Sequence, residues 1–421
     1  MTIATELQDR AAGRLRLARL MATRFATVGD QMLVALANFW LTVAIGRAFH
    51  AEELASYGIG LSAGLMVQAL QRHAIVIPLM LEPKSRVLRR CGAIIGQHWI
   101  ILAVTLCIIG PGVATAAALG ATGYGQQIIA AFGACLIVYS ELEFARAIFI
   151  KLNRPLCLLA GSAFYAVLCG ALGLAALTHW VDFPQLLALL AAAMTFHAVG
   201  VSIQVGDFSL ARGWAVLRSN MRRYGAWSLV ATGTYGGYIH FPLFLLGSLA
   251  EPIHAATFVA TRSVMQPLQI LLRGLDLADK AAFAEKSSAP HSHAAFLASL
   301  KLAGLYAIAG SLFSILAALF AEPLLQLTYG PKFAGAGPTL MAWGPVFVLL
   351  GCMMPLESLV YARRRFAGYY FARAVGSVLA IGLTAPLVFR FAEKGAILAC
   401  AAGGFVAAAG VILLLYRDTH Q

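Results

Sequence analysis

IILAVTLCIIG, residues 100–110, runs eleven positions without a charge, and LLALLAAAM at 186–194 repeats the pattern. Neither alternates apolar with polar, so each reads as helix rather than barrel strand. In hydrocarbon every backbone polar group must be satisfied within the segment, and a helix of about 20 apolar residues spans the roughly 30 Å required. The rest of the chain is built the same way. Of 421 residues 60% are hydrophobic and 12% charged, with a mean hydropathy of +0.80. Soluble domains carry about 25% charge, so a soluble globular protein is excluded. The fold expected is an all-α polytopic membrane protein.

At about 35 residues per span and connection, the length holds roughly twelve helices. Apolar windows place them at 25–47, 56–81, 93–119, 127–147, 156–178 and 185–206, then at 226–249, 255–275, 295–320, 335–360, 372–389 and 395–416. The division that follows is a basic, amphipathic lead (1–24), a six-helix lobe (25–206), a linker (207–225), a second six-helix lobe (226–416) and a tail (417–421). The apolar run from Phe25 to Ala48 is too long for a cleaved signal peptide, so the lead reads as an interfacial helix entering the first span.

There are 31 Lys and Arg against 18 Asp and Glu, a net +13 spread too thinly for a nucleic-acid surface. On alternate connections only Arg47, Lys332, Arg390 and Lys394 fall on one side. Arg72 and Arg262 lie inside spans, and the remaining 25 fall on the other side. Basic residues stay cytoplasmic, which puts both termini there and supports an even number of spans. A weak echo at an offset of 199 pairs Arg24-Phe25 with Arg223-Tyr224, Ala51-Glu52 with Ala250-Glu251 and Met66 with Met265. Both halves begin on the same side, so the duplication is parallel and two lobes with a cleft follow.

Ionisable residues inside spans are costly and usually face a cavity or a partner. In ATFVATRSVMQPLQILLRGLDL (256–277), Arg262, Gln266, Gln269 and Arg273 recur at i, i+4, i+7 and i+11, one narrow helical stripe. It reads as a cationic cavity wall; the alternative is that Arg273 snorkels and Arg262 pairs with an acid. Span 2 places Gln68 and Arg72 one turn apart beside Gln71, with Gly60 and Gly64 allowing close helix approach. Its alternative is a structural bridge held by Arg72. His73 beside them reads as structural. Gln31, Asn38 and Thr42 share a face of span 1, and Asp30 is a candidate for a coupling cation or for pairing with Arg24 or a cavity arginine. Glu141 and Glu143 near Arg146, and Glu357 and Tyr361 before Arg363-Arg364-Arg365, read as structural ion pairs. In span 7, Gly233, Gly236, Gly237 and Pro242 favour a bend, and Tyr235, Tyr238 and His240 either meet a sugar or pack; Pro111, Pro267, Pro345 and Pro355 are further kinks.

The seven cysteines lack CxxC spacing and read as buried small hydrophobes. No GxxxxGK[ST] or HExxH occurs, and His291-Ser292-His293 is a weak metal signal, so no metal is expected. The loops leave no room for a soluble catalytic domain, and a non-enzyme is expected.

LRLARLMATRF (15–25), GDQMLVALANFWLTVAIGRAFHAEELASYGIGLS (29–62), VQALQRH (67–73) and LLQLTYGPKFAGAGPTLMAWGPVFVLLG (324–351) resemble the bacterial Wzx-like polysaccharide flippases of the multidrug/oligosaccharidyl-lipid/polysaccharide (MOP) exporter superfamily. The wording covers about a fifth of the chain and the layout all of it. The resemblance implies two lobes in a V around a central cationic cavity in the bacterial inner membrane. It implies an undecaprenyl-diphosphate-linked oligosaccharide as cargo, an H+ or Na+ gradient as energy source with no cofactor, and membrane lipids, a polysaccharide polymerase and glycosyltransferases as partners. Arg72, Arg262 and Arg273 would meet the diphosphate, and Gln68, Gln71, Gln266, Gln269, Asn38 and Tyr238 the sugars. Alternatives are a drug/cation antiporter of the same superfamily, for which acidic cavities are expected, a major-facilitator sugar transporter, whose Gly-x-x-x-Asp-Arg pattern the 82–92 loop lacks, and a membrane polymerase or acyltransferase, which would need a larger outer loop.

Overall fold

The computed structural model describes the backbone of residues 3–118, 123–206, 208–286, 293–363 and 365–420. Within these, side chains are described outside 3–24, 73–74, 77, 81, 108–118, 223–229, 231, 235, 270–271, 273–286, 361 and 420. The expectations for the lead's amphipathic face, for His73, Pro111, Tyr235, Tyr361 and the Arg273 side chain, and for His291 and Ser292 lie outside the described residues.

Each of the twelve apolar windows falls on helix. The first half holds α1 (Ile3–Ala48), α2 (Ala51–Gln71) continued through a π turn (Arg72–Val76) into α3 (Ile77–Leu81), α4 (Lys84–Arg89), α5 (Cys91–Ala118), α6 (Gly123–Leu152), α7 (Pro155–Leu177) and α8 (Phe183–Val205). The second holds α9 (Leu210–Ile239), α10 (Phe241–Leu249), α11 (Pro252–Lys286), α12 (His293–Leu319), α13 (Ala321–Tyr329), a 3-10 turn (Gly330–Phe333), α14 (Gly337–Arg363), α15 (Phe366–Phe391) and α16 (Glu393–His420). Among the described residues eight helices are long and apolar enough to cross a membrane. This is an all-α, multi-pass membrane protein.

Two details differ from the expectation. The linker 207–225 is largely the first turns of α9, because Ser209 caps the helix at the Arg212 amide and nothing beyond it interrupts the backbone ladder. The bend expected in span 7 is a break at His240, where α9 ends and Pro242 opens α10.

The two halves repeat one packing scheme. α1 packs on α7 and α2 on α6; correspondingly α9 packs on α15 and α11 on α14. Small residues set these approaches, since a Cβ at Gly60 would meet the Phe132 amide at 2.5 Å and one at Gly237 the Ser377 side chain at 2.4 Å. Gly60→Ala is therefore expected to cost about 1–3 kcal/mol by overpacking. Thermal unfolding in detergent measures it.

The halves meet where α5 packs on α9 and where α1 and α2 pack on α11, and α2 crosses α11 at Gly58 and Val259, where a Cβ at 58 would lie 2.1 Å from the valine. At the end bearing the 49–51 and 250–252 turns, the outer end on the charge reading, each half caps the other. Arg47 donates to the Leu327 and Thr328 carbonyls at 2.5 and 2.7 Å, and Lys332 donates to those of Arg47 and Phe49 at 2.8 and 2.7 Å. These are carbonyls at helix C-termini, which lack partners within their own helices and attract cations. Burial pulls the Lys332 ammonium below the ordinary lysine range, and nearby Glu53 opposes that. Two of the four outer basic residues thus form a latch between halves. Arg47→Ala with Lys332→Ala is expected to lengthen the distance between spin labels at Glu52→Cys and Leu327→Cys. An unchanged distance would leave closure to the apolar contact of Tyr329 with Gly46.

Candidate functional site

Inward of the Gly58–Val259 crossing, α2 and α11 carry their polar residues in matching register. Ten residues on stand Gln68 and Gln269; fourteen residues on stand Arg72 and Arg273, about 21 Å along each helix at 1.5 Å per residue. The Gln68 and Gln269 side chains are half-buried, as are Gln266 and Arg262. The Arg262 guanidinium lies 5.8 Å from the Trp343 ring, and Trp343 donates to the Thr261 hydroxyl.

Arg72 opens the π turn of α2, where an extra residue in the turn re-aims the side chains. Its guanidinium donates to Glu143 at 2.8 Å while the side chain stays 57% exposed. Glu143 also accepts from Arg146 at 2.9 Å, Arg146 donates to Asp30, and the Ser162 hydroxyl donates to the other Asp30 oxygen. Asp30 is buried, each of its oxygens accepts one hydrogen bond, and its charged partner is Arg146. Arg72, Glu143, Arg146 and Asp30 form one alternating chain of charge with an open cationic end.

Several expected contacts fall elsewhere. Gln71 is buried inside the first half, donating to the Ser140 carbonyl at 3.0 Å and facing His98 Nδ1 at 3.3 Å. The reason is angular, because adjacent helix residues stand about 100° apart and cannot both face the cleft. Asn38 accepts from the Tyr165 hydroxyl at 2.6 Å, joining α1 to α7. Tyr238 is buried in the second half, where Arg373 donates to its hydroxyl at 3.3 Å and to that of Tyr369 at 2.5 Å. Glu141 does not pair with Arg146, which lies over a turn away on another face of α6. It is fully buried between His98 Nε2 at 2.5 Å and His197 Nδ1 at 2.9 Å. The arginine run at the end of α14 is held by Asp418 of α16, which pairs with Arg363 at 3.3 Å and with Arg365. Asp418 is near in space and far in sequence, so a local reading turns to Glu357 instead.

Sequence reasoning also passes over the buried Arg373, His98 and His197. Arg373 resembles an orienting charge near a span end, and the histidines are lone polar residues in apolar runs. The signal available is the polar residue itself inside hydrocarbon-length sequence. Among the described residues no group of three or more His, Cys, Asp or Glu is placed to hold a metal ion. Two small hollows among the described residues, one beside Tyr238 and Cys400 and one beside Ile75 and Asn220, have room for a water or so, about 10 and 20 Å³. The candidate site is the flank shared by α2 and α11, where Gln68, Arg72, Gln269 and Arg273 stand in matching register.

No protein-family model matches the chain, and no curated protein matches it in sequence. Its three-dimensional arrangement does have counterparts. An inward-facing multidrug resistance MATE family transporter of the MOP superfamily superposes with a TM-score of 0.65 at 14% identity, over 94% of this chain and 98% of that one. The chain has the fold of the MOP-superfamily transporters. The lipid II flippase MurJ, in an inward closed conformation, gives 0.63 at 12% identity over 95% and 89%. A eukaryotic MATE transporter gives 0.61 at 11% over 97% and 98%. These MOP-fold neighbours are transporters and flippases. Their low identity carries the fold and leaves the cargo to the residues of this chain.

Proposed function

We propose that this chain is a twelve-span flippase of the bacterial inner membrane, with both termini cytoplasmic. Its cargo is a lipid-linked oligosaccharide, undecaprenyl-diphosphate-linked, moved outward for polysaccharide synthesis at the expense of an H+ or Na+ gradient. A glycan polymerase and glycosyltransferases are its pathway partners. The carrying observation is the matched register of Gln68–Arg72 and Gln269–Arg273 inward of the α2–α11 crossing, with Arg72 exposed. Two arginines at matching register positions of α2 and α11 suit a diphosphate, which accepts charge-assisted, bidentate hydrogen bonds. The glutamines beside them suit sugar hydroxyls, and the lipid tail needs no protein site because it stays in the bilayer.

The same fold serves drug antiporters, and that reading is the alternative. It calls for uncompensated acids facing the cleft, whereas Asp30 and Glu143 are neutralised by Arg146 and Arg72 and Glu141 faces two histidines. Deleting the gene in its native host is expected to accumulate lipid-linked oligosaccharide on the cytoplasmic leaflet. Increased drug sensitivity with no accumulation would favour the antiporter.

A further inference from the structure

α1 ends at Ala48, and the carbonyls of Gly46, Arg47 and Phe49 at that end accept from no backbone N–H among the described residues. One ammonium serves all three. Lys332 Nζ, carried on the 3-10 turn of the second half, donates to the Arg47 and Phe49 oxygens at 2.8 and 2.7 Å and to that of Gly46 at 3.4 Å. An ammonium has three N–H groups, and three carbonyls take them. Burial disfavours the charge of this ammonium and Glu53, in the first turn of α2, favours it. The Oε2 atom of Glu53 is itself buried without a donor among the described residues. The Arg47 guanidinium takes no part in the cage, because it is committed to the Leu327 and Thr328 carbonyls of α13.

Neutral oxygens at the negative end of a helix, with a carboxylate beside them, form the environment of a dehydrated monovalent cation. Backbone carbonyls replace the hydration shell in the same way in cation-selective filters. Here a lysine supplies the cation on a tether. The tether belongs to the second half, whereas residues 46, 47, 49 and 53 all belong to the first. Lys332 therefore fills the cage only while the outer ends of the halves are together. When they part, the three carbonyls lose their donor and Glu53 stays beside them.

We propose that the turn between α1 and α2 is a monovalent-cation site, formed by the Gly46, Arg47 and Phe49 carbonyls with Glu53, which Lys332 occupies in the closed state and Na+ or K+ from the outer solution occupies when the halves part. Lysine and ion exclude one another, so by linkage the ion favours the parted state. No proton moves in the exchange, and no acid buried within the bundle takes part. The proposal rests on the fold and the outer latch, not on the identity of the cargo.

The test uses the full chain in lipid nanodiscs, with Cys107, Cys157 and Cys352 replaced by serine. Spin labels are placed at Trp180→Cys and Phe320→Cys, exposed positions on outer turns of the two halves. Na+ or K+ is raised at constant ionic strength against N-methylglucamine, which is too large for the cage, and a longer outer distance is expected to grow in with the ion. In Lys332→Ala the cage is free in either state, so the distance is expected to stop responding. Radiolabelled Na+ or Rb+ is expected to bind that variant at one site per chain about 10- to 100-fold more tightly than the parent, the equivalent of one charged hydrogen bond. Glu53→Gln in the same background is expected to weaken this binding about tenfold, the effect of losing a neighbouring opposite charge. A parent distance indifferent to both ions, or binding to Lys332→Ala no tighter than to the parent, would overturn the proposal. Binding to Lys332→Ala that ignores Glu53→Gln would place the ion elsewhere and overturn the assignment. Because no cargo is added, failure of the flippase reading leaves these outcomes unaffected.

Discussion

Arg146→Met is expected to cost about 3–5 kcal/mol, the ordinary cost of leaving buried charge without its partner. Arg146 bonds both Asp30 and Glu143, and both carboxylates are buried. Glu143 keeps Arg72 after the substitution, while Asp30 keeps only the Ser162 hydroxyl. Asp30→Asn alone leaves Arg146 its second carboxylate and is expected to cost less. The double variant is expected to be more stable than Arg146→Met, because it removes the orphaned charge. A double-mutant cycle read by thermal unfolding in detergent isolates that coupling. Additive effects of the two substitutions would mean that the Asp30–Arg146 pair contributes nothing. The cycle also bears on ion coupling, since a cation at Asp30 would share oxygens that already accept from Arg146 and Ser162.

The second large effect is on transport. Arg72→Ala removes the exposed cation at the mouth of the charge chain, and a hydrogen bond to a charged group contributes about 1.5–3 kcal/mol, or roughly 10- to 100-fold in rate. Stability is expected to change little, because the side chain is 57% exposed and solvent screens its pairing with Glu143. Arg273→Ala, at the matching register position, is expected to reduce flux similarly, and the pair together by more than either. Full flux in both single variants, with normal amounts of inserted protein, would remove the diphosphate contact from the account.

How far the sequence can be read follows from the range of each effect. Uncharged runs such as 100–110 specify helix and membrane without reference to anything distant, so each expected window falls on helix. Spacing along one helix is also local, which is why Gln68 and Arg72 can be placed on a common face. Partner choice is not local. Glu143 meets Arg72 across 71 residues, Asp30 meets Arg146 across 116, and Arg47 reaches Thr328 across 281. The π turn is invisible in the sequence for a related reason, since it depends on how α2 packs and leaves no mark such as proline at Arg72. Gln71 shows the consequence, because its neighbour faces the cleft while it points inward at His98.

The central claim is that this chain moves a phosphate-bearing, lipid-linked glycan along the α2–α11 flank. Proteoliposomes containing the purified protein and a fluorescent undecaprenyl-diphosphate oligosaccharide, with an imposed proton or sodium gradient, test it by the rate at which the sugar becomes accessible to an impermeant lectin. Gradient-dependent transfer is expected, well above protein-free vesicles and about 10- to 100-fold slower in Arg72→Ala, the loss of one charged hydrogen bond. Transfer no faster than in protein-free vesicles under either gradient would contradict it.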